Sequence, residues 1–184
     1  MPVIDADELA RSVVAPDSEG LSEIVKLLGP NVLCEDGSLN RSAVAARIFA
    51  DTCLRRRLEA ITHPRIRALL RARLDALEAR EVHIACYEAP LLIEVGAQEE
   101  YRPLVVVSTS AELQQARVQQ RDALPASEVL SRIAAQLPLM EKESVADYVI
   151  HNNGSLQSLL RQADRVLDAV CARLGVDVTS LGSN

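Results

Sequence analysis

Apolar residues recur along the chain at two spacings. In some stretches they return every three or four positions, which marks a helix with one buried face. In others, several β-branched residues run together, which marks a buried strand. Val3-Ile4 runs straight into Asp5-Ala6-Asp7 and reads as the end of such a strand. A helix is predicted from about Glu8 to Val14, stopping near Pro16. Ser18 is placed to cap a second helix, Glu19 to Leu28, with Leu21, Ile24, Leu27 and Leu28 on one face and Gly29-Pro30 as its stop. Asp36-Gly37 is a turn, and Asn40 caps a third helix with Val44, Ile48 and Phe49 inward. Residues 51 to 80 read as helical, with a break near His63-Pro64, because proline disfavours helical geometry in the residue before it.

The second half alternates strands and helices. Val82 to Tyr87 has strand length and is followed by Ala89-Pro90-Leu91-Leu92-Ile93-Glu94. Pro103 to Val107 is a β-branched run and predicts a buried strand. Helices follow from about Ala111 to Arg121 and from Pro125, where Val129, Leu130 and Ile133 form the apolar face. Tyr148-Val149-Ile150 is a last short strand and Asn152-Asn153-Gly154 a turn. A final helix runs from Leu156 to Leu174, with Leu159, Leu160, Val166, Leu167, Val170 and Leu174 inward, and the tail from residue 177 is expected to fray. Short apolar strands alternating with helices predict an α/β fold, a doubly wound parallel sheet with right-handed crossovers. Ligands in such folds sit at the carboxyl ends of the strands. That rim would carry Asp5 and Asp7, residues 88 to 94, and Asn152 to Gly154.

Composition narrows the classes. Of 184 residues, 48% are apolar and 25% charged, which excludes a disordered or fibrous chain. No apolar run approaches the ~20 residues needed to cross a bilayer, and no signal peptide is visible, so a cytoplasmic protein without membrane contact is expected. The net charge of −6 disfavours nucleic acid as a partner, since such binding is driven by phosphate neutralisation. Self-association is left open. The eight arginines at 55, 56, 57, 65, 67, 71, 73 and 80 interleave with Glu59, Asp75 and Glu78, so a solvated, ion-paired face is the plain reading and a phosphate- or RNA-facing stripe the alternative. Cys34, Cys53, Cys86 and Cys171 show neither zinc spacing nor a C-x-x-C pair, and read as bland reduced thiols; no protein-bound metal site is expected.

Several segments, in order, resemble dephospho-coenzyme A kinases. Val3 to Arg11 is similar to the start of that family's second strand and helix. Asp36 to Arg41 with Ile48-Phe49 resembles its middle helical region, and His63-Pro64 its His-Pro dipeptide. Pro90 to Glu94 is similar to its strand-three motif; Gln120-Arg121-Asp122, Arg132 to Gln136 and Lys142 to its lid; Ala146 to Ile150 with Asn152-Asn153-Gly154 to its last strand and turn. The resemblance covers about residues 3 to 174. It implies a single phosphate-loop-type kinase domain over residues 1 to 176, with a helical substrate lobe at about 18 to 80 and a lid at about 121 to 144. It also implies ATP-dependent phosphorylation of dephospho-coenzyme A at the ribose 3′-hydroxyl, with ATP and Mg²⁺ as cosubstrate.

The chain departs from the family at one place. The glycines at 20, 29, 37, 96, 154, 175 and 182 form no G-x-x-x-x-G-K-[ST], the loop whose backbone N–H groups and lysine hold the phosphates. The family's first β–α unit, on the order of 25 residues, is therefore expected to be missing. Its absence would separate two strands by roughly 9–10 Å. The chain is expected to be a truncated form of such a kinase, inactive or very weak by itself. Alternatives are a non-catalytic dephospho-coenzyme A- or nucleotide-binding module and an interaction subunit completed by a partner's strand.

The resemblance implies a role for each candidate. Asp7 would be the catalytic base; the residues alone favour a helix N-cap there. Asp5 would support the substrate or a Mg²⁺-bound water, and Arg11, His63 and Pro90 would bind substrate, although a histidine before proline is often a packing residue. Arg117, Arg121 and Lys142 would reach the nucleotide phosphates, and Asn152, Asn153 and Gly154 would face the adenine, where a plain turn is the other reading.

Overall fold

The computed structural model describes residues 1–49 and 51–177, so most of the tail expected to fray lies outside the described residues. The chain divides into two compact units, one ending at Ala89 and the other starting at Pro90.

In the first unit, β1 (Val3–Asp5) leads directly into α1 (Ala6–Val13), followed by α2 (Glu19–Leu28), α3 (Arg41–Phe49), α4 (Thr52–Glu78) and β2 (Cys86–Glu88). β1 and β2 are parallel, with Ile4 opposite Tyr87 and Asp5 opposite Glu88. The core lies among the helices: Val13, Val14, Ile24, Leu28, Val32 and Val44 are buried, with Leu54, Leu58, Ile61, Ile66 and Leu69 of α4 packed against them. Burying each such side chain contributes about 1.5–3 kcal/mol. Ser18 caps α2 by accepting from the Leu21 N–H, and Gly29 ends it at φ +84°, a conformation that favours glycine. A Cβ at Gly20 would collide with the Val13 carbonyl, so glycine lets α2 sit close to the end of α1. Asn40 caps α3 by accepting from the Ala43 N–H.

Two expectations fail in this unit. Phe49 is 94% exposed rather than inward. Val44 and Ile48 are four residues apart and share the inner face, and one further residue turns Phe49 away from it. α4 also runs through Pro64 without the expected break. Proline removes one donor, but apolar residues on both sides of it are packed on the core, which holds the helix together. Polar side chains near the proline add to this: Arg65 Nη1 donates to the Ile61 carbonyl at 2.8 Å and the Thr62 hydroxyl to that of Leu58 at 3.1 Å.

The second unit holds β3 (Val105–Ser108), α5 (Ala111–Asp122), α6 (Ala126–Ala134), α7 (Leu139–Ser144), β4 (Tyr148–His151) and α8 (Leu156–Leu174). β3 and β4 pair in parallel, with Val107 opposite Ile150 and Ser108 opposite His151. Asp147 locks the start of this pair. Its carboxylate accepts from the Leu104 N–H at 2.7 Å, Arg102 Nη1 at 2.9 Å and Arg173 Nη1 at 2.7 Å. The Leu104 N–H and then the two guanidinium groups hold its carboxyl well below the usual carboxylate range. β3 buries Val106 and Ser108 on one face, and among the described residues Val105 and Val107 on the other face stay exposed. Leu130, Leu160 and Leu174, expected inward, are about half exposed. Val129 in α6 and Val170 in α8 are buried as expected, and Cys171 is buried beside Val170. No helix among the described residues is long and apolar enough to cross a membrane.

Candidate active site

The polar groups expected at the strand ends fall in both units. At the end of β1, Asp5 is the N-cap of α1: its Oδ1 accepts from the Asp7 N–H at 2.6 Å and the Glu8 N–H at 3.2 Å. Arg11 lies six residues on, with Nη2 3.7 Å from Asp5 Oδ2. Capping therefore falls to Asp5. Asp7, in the first turn of α1, is exposed, and its carboxylate has no partner among the described residues. The sequence offered Asp7 as the cap of a helix starting at Glu8; instead β1 ends at Asp5, whose extended backbone suits a cap residue, and Asp7 is already helical. His63 is exposed in the middle of α4 with no partner among the described residues. Cys86, in β2, has its thiol pushed up by burial and then by the charge of Glu88, so it remains a neutral thiol.

In the second unit the loops after β3 and β4 are tied together. The Thr109 hydroxyl lies 3.1 Å from the Asn152 carbonyl and 3.0 Å from Asn153 Oδ1, and the Ser110 N–H donates to the same Oδ1 at 2.8 Å. The Asn152 N–H donates to the Ser108 carbonyl at 2.7 Å. On the other side of β4, the Gln162 carboxamide donates to the His151 carbonyl at 2.9 Å and accepts from its N–H at 3.1 Å. Gly154 is not in the left-handed region, and a Cβ there would meet Ser158 only at ordinary contact distance. Its local backbone does not demand glycine.

The lid candidates have different surroundings. Arg121, near the end of α5, makes a bidentate pair with Asp122, at 2.7 and 3.0 Å, and Arg132 approaches the same carboxylate at 3.7 Å. The Arg121 hydrogen bond holds the Asp122 carboxyl below its ordinary value. Arg117, one turn earlier, is exposed and has no partner among the described residues. Lys142 is buried instead: Nζ lies 2.5 Å from Glu94 Oε1 and 3.3 Å from Gln136 Oε1. Glu94 closes the Pro90 to Glu94 segment, which forms turns rather than a strand, with Pro90 exposed. Glu94 Oε2 and Gln98 Oε1 are buried with no donor among the described residues. The sequence reading gave no role to Glu94 or Thr109. An acid ending an apolar run was the available signal for Glu94; none existed for Thr109. Among the described residues no group of three or more His, Cys, Asp or Glu side chains could hold a metal ion.

Parallel strand pairs with polar carboxyl ends, a helical insert after the first strand, and an arginine-bearing helical segment between β3 and β4 define an α/β protein of the phosphate-loop kinase class. Comparison with known proteins places it more closely. The family model for dephospho-CoA kinase matches residues 1–158, and the chain belongs to that family. A dephospho-CoA kinase from Anaeromyxobacter dehalogenans is 45% identical over 166 residues, covering 90% of this chain and 79% of the relative. One from Syntrophotalea carbinolica is 45% identical over 172 residues, covering 94% and 80%. Among solved structures, a Thermus thermophilus protein superimposes with a TM-score of 0.78 at 36% identity, covering 92% of this chain and 84% of that one. The dephospho-CoA kinase from Campylobacter jejuni gives 0.64 at 26% identity, covering 92% and 85%.

Proposed function

We propose that the chain transfers the γ-phosphoryl group of Mg-ATP to the ribose 3′-hydroxyl of dephospho-coenzyme A, giving coenzyme A and ADP. Family membership over nearly the whole chain supports the reaction. The observation that carries the residue assignment is the division of labour at β1, where Asp5 caps the helix and leaves the Asp7 carboxylate uncommitted. In this reading Asp7 accepts the 3′-hydroxyl proton as the oxygen attacks the γ-phosphorus. The bond from that phosphorus to the β,γ-bridging oxygen breaks, and ADP leaves with the bridging oxygen. Arg11, His63 and Pro90 contact substrate, with Asp5 supporting them. Arg117 and Arg121 neutralise phosphate charge as bidentate donors, Arg121 by exchanging Asp122 for phosphate oxygens. Lys142 reaches the phosphates only by leaving Glu94. Mg²⁺ arrives with ATP. Asn152, Asn153 and Gly154 face the adenine: the local backbone would accept a Cβ at Gly154, so a close-lying ligand is the reason offered for glycine there. Residues 18 to 80 form the substrate lobe and 121 to 144 the lid, and the protein works in the cytoplasm.

The second reading, a binding module without catalysis, is favoured by the absence of G-x-x-x-x-G-K-[ST] from these 184 residues. A discontinuous assay for coenzyme A formation, paired with titration of dephospho-coenzyme A, separates the two. The 184 residues alone are expected to bind dephospho-coenzyme A and to turn over at most weakly, because no backbone cradle for the phosphates is among them. Binding with no product at any Mg-ATP concentration supports the binding module, and loss of both binding and turnover overturns both readings.

A further inference from the structure

The turn after β4 is held by Thr109, a residue that no sequence motif marks. Asn153 is exposed, yet its side chain is not free to rotate. Its oxygen faces the Ser110 N–H at 2.8 Å, and a backbone N–H can only donate, so the atom there must be Oδ1. The carboxamide orientation is thereby settled by chemistry. The Thr109 hydroxyl adds a second tie at 3.0 Å and also reaches the Asn152 carbonyl at 3.1 Å, sharing its single proton between the two acceptors. The consequence lies on the other side of the amide. Asn153 Nδ2 carries two N–H donors with no acceptor among the described residues, on a turn whose start is held by Ser108 and Gln162.

We propose that Thr109 is a positioning residue for nucleotide binding: its hydroxyl fixes the Asn152–Asn153 turn so that the Asn153 amide presents its donors to the ring-nitrogen acceptors of a purine. The inference rests on the nucleotide reading of residues 152 to 154 given above and adds the residue that sets their geometry. A preset donor needs no ordering at the moment of binding, so its loss shows as weaker nucleotide affinity with the fold intact. Valine keeps the shape of threonine and removes the hydroxyl; serine keeps the hydroxyl and removes the methyl.

The test is a titration followed by ¹H–¹⁵N spectra of the full chain, which report weak binding as well as strong. In the unsubstituted protein, Mg-ATP is expected to shift the Asn153 side-chain amide pair. Thr109→Val is expected to weaken Mg-ATP by about three- to tenfold, the worth of one positioning hydrogen bond. Its dephospho-coenzyme A affinity and thermal midpoint are expected to stay unchanged, and Thr109→Ser to restore Mg-ATP affinity to within about twofold. If the Asn153 pair shifts but Thr109→Val binds Mg-ATP normally, this proposal falls and the turn reading stands. If Mg-ATP shifts other signals and leaves Asn153 unmoved, the turn reading falls and takes this proposal with it. Equal weakening toward both ligands together with a lowered thermal midpoint would make Thr109 merely structural, and overturn the proposal. Absence of any shift with Mg-ATP overturns it too, along with the kinase reading.

Discussion

At the scale of single residues, the two aspartates after β1 have the same charge and different work. Asp5 satisfies two N–H groups at the start of α1, and Asp7 satisfies none that the structure shows. Asp5→Ala is therefore expected to cost about 1 kcal/mol of stability, the usual value of a helix cap, measured by chemical denaturation. Asp7→Asn is expected to leave stability nearly unchanged and to lower any coenzyme A formation by about 100-fold or more, with dephospho-coenzyme A affinity retained. A large stability loss in Asp7→Asn with unchanged turnover would reverse the two assignments. Lys142 raises a similar question. Its ammonium and the Glu94 carboxylate are close enough to attract strongly, and both side chains are largely buried, at 10% and 16% exposure. Lys142→Met would leave the Glu94 side chain buried without its cation, a change that costs about 3–5 kcal/mol in comparable pairs. The double variant Lys142→Met with Glu94→Leu should recover most of that loss. Should Lys142→Met instead remain stable and lose only Mg-ATP affinity, the lysine acts on the nucleotide and its pairing with Glu94 is incidental.

At the scale of elements, caps and stops were legible because they depend on neighbours in sequence. Ser18, Asn40, Gly29 and the bounds of α8 all fall where the local pattern put them. Faces were less legible. Phe49 and Leu160 belong to helices whose inner stripe is set by what lies across from them, and each sits off that stripe. Pro64 shows the same limit, because tertiary packing on both sides of it outweighed a local preference. The β3–β4 pair depends on Asp147, whose charged form is the one the fold binds. A carboxyl held below its ordinary value stabilises the protein fully above that value and loses the contribution as pH falls toward the depressed one. The thermal midpoint is expected to hold from pH 7 to about 4 and to fall at lower pH, as the ordinary carboxylate range is crossed. Asp147→Asn should start lower at neutral pH and show a shallower acid limb. A variant with the wild-type acid limb would show that other carboxylates control it.

At the scale of the whole molecule, charge sets what the surface can bind. The long α4 carries many arginines, but Arg55, Arg65 and Arg71 are paired with Glu59, Glu23 and Asp75, and the chain as a whole bears −6. Binding of a labelled single-stranded RNA at near-physiological salt is expected to be weaker than roughly 10⁻⁴ M, the weak end of non-specific association, as read by fluorescence anisotropy. Micromolar binding would restore the phosphate-facing stripe as the reading of α4. The α/β class, the order of most elements, the caps of α2 and α3 and the ordered motifs of a dephospho-CoA kinase were all determined by the sequence alone, since each depends on residue type and short spacing. Tertiary structure alone decided which aspartate caps α1, that Lys142 is engaged with Glu94, that Asp147 joins three segments, and that Thr109 holds Asn153. Those facts join residues up to about 50 positions apart or turn on where a strand ends, and neither periodicity nor propensity carries information about such meetings.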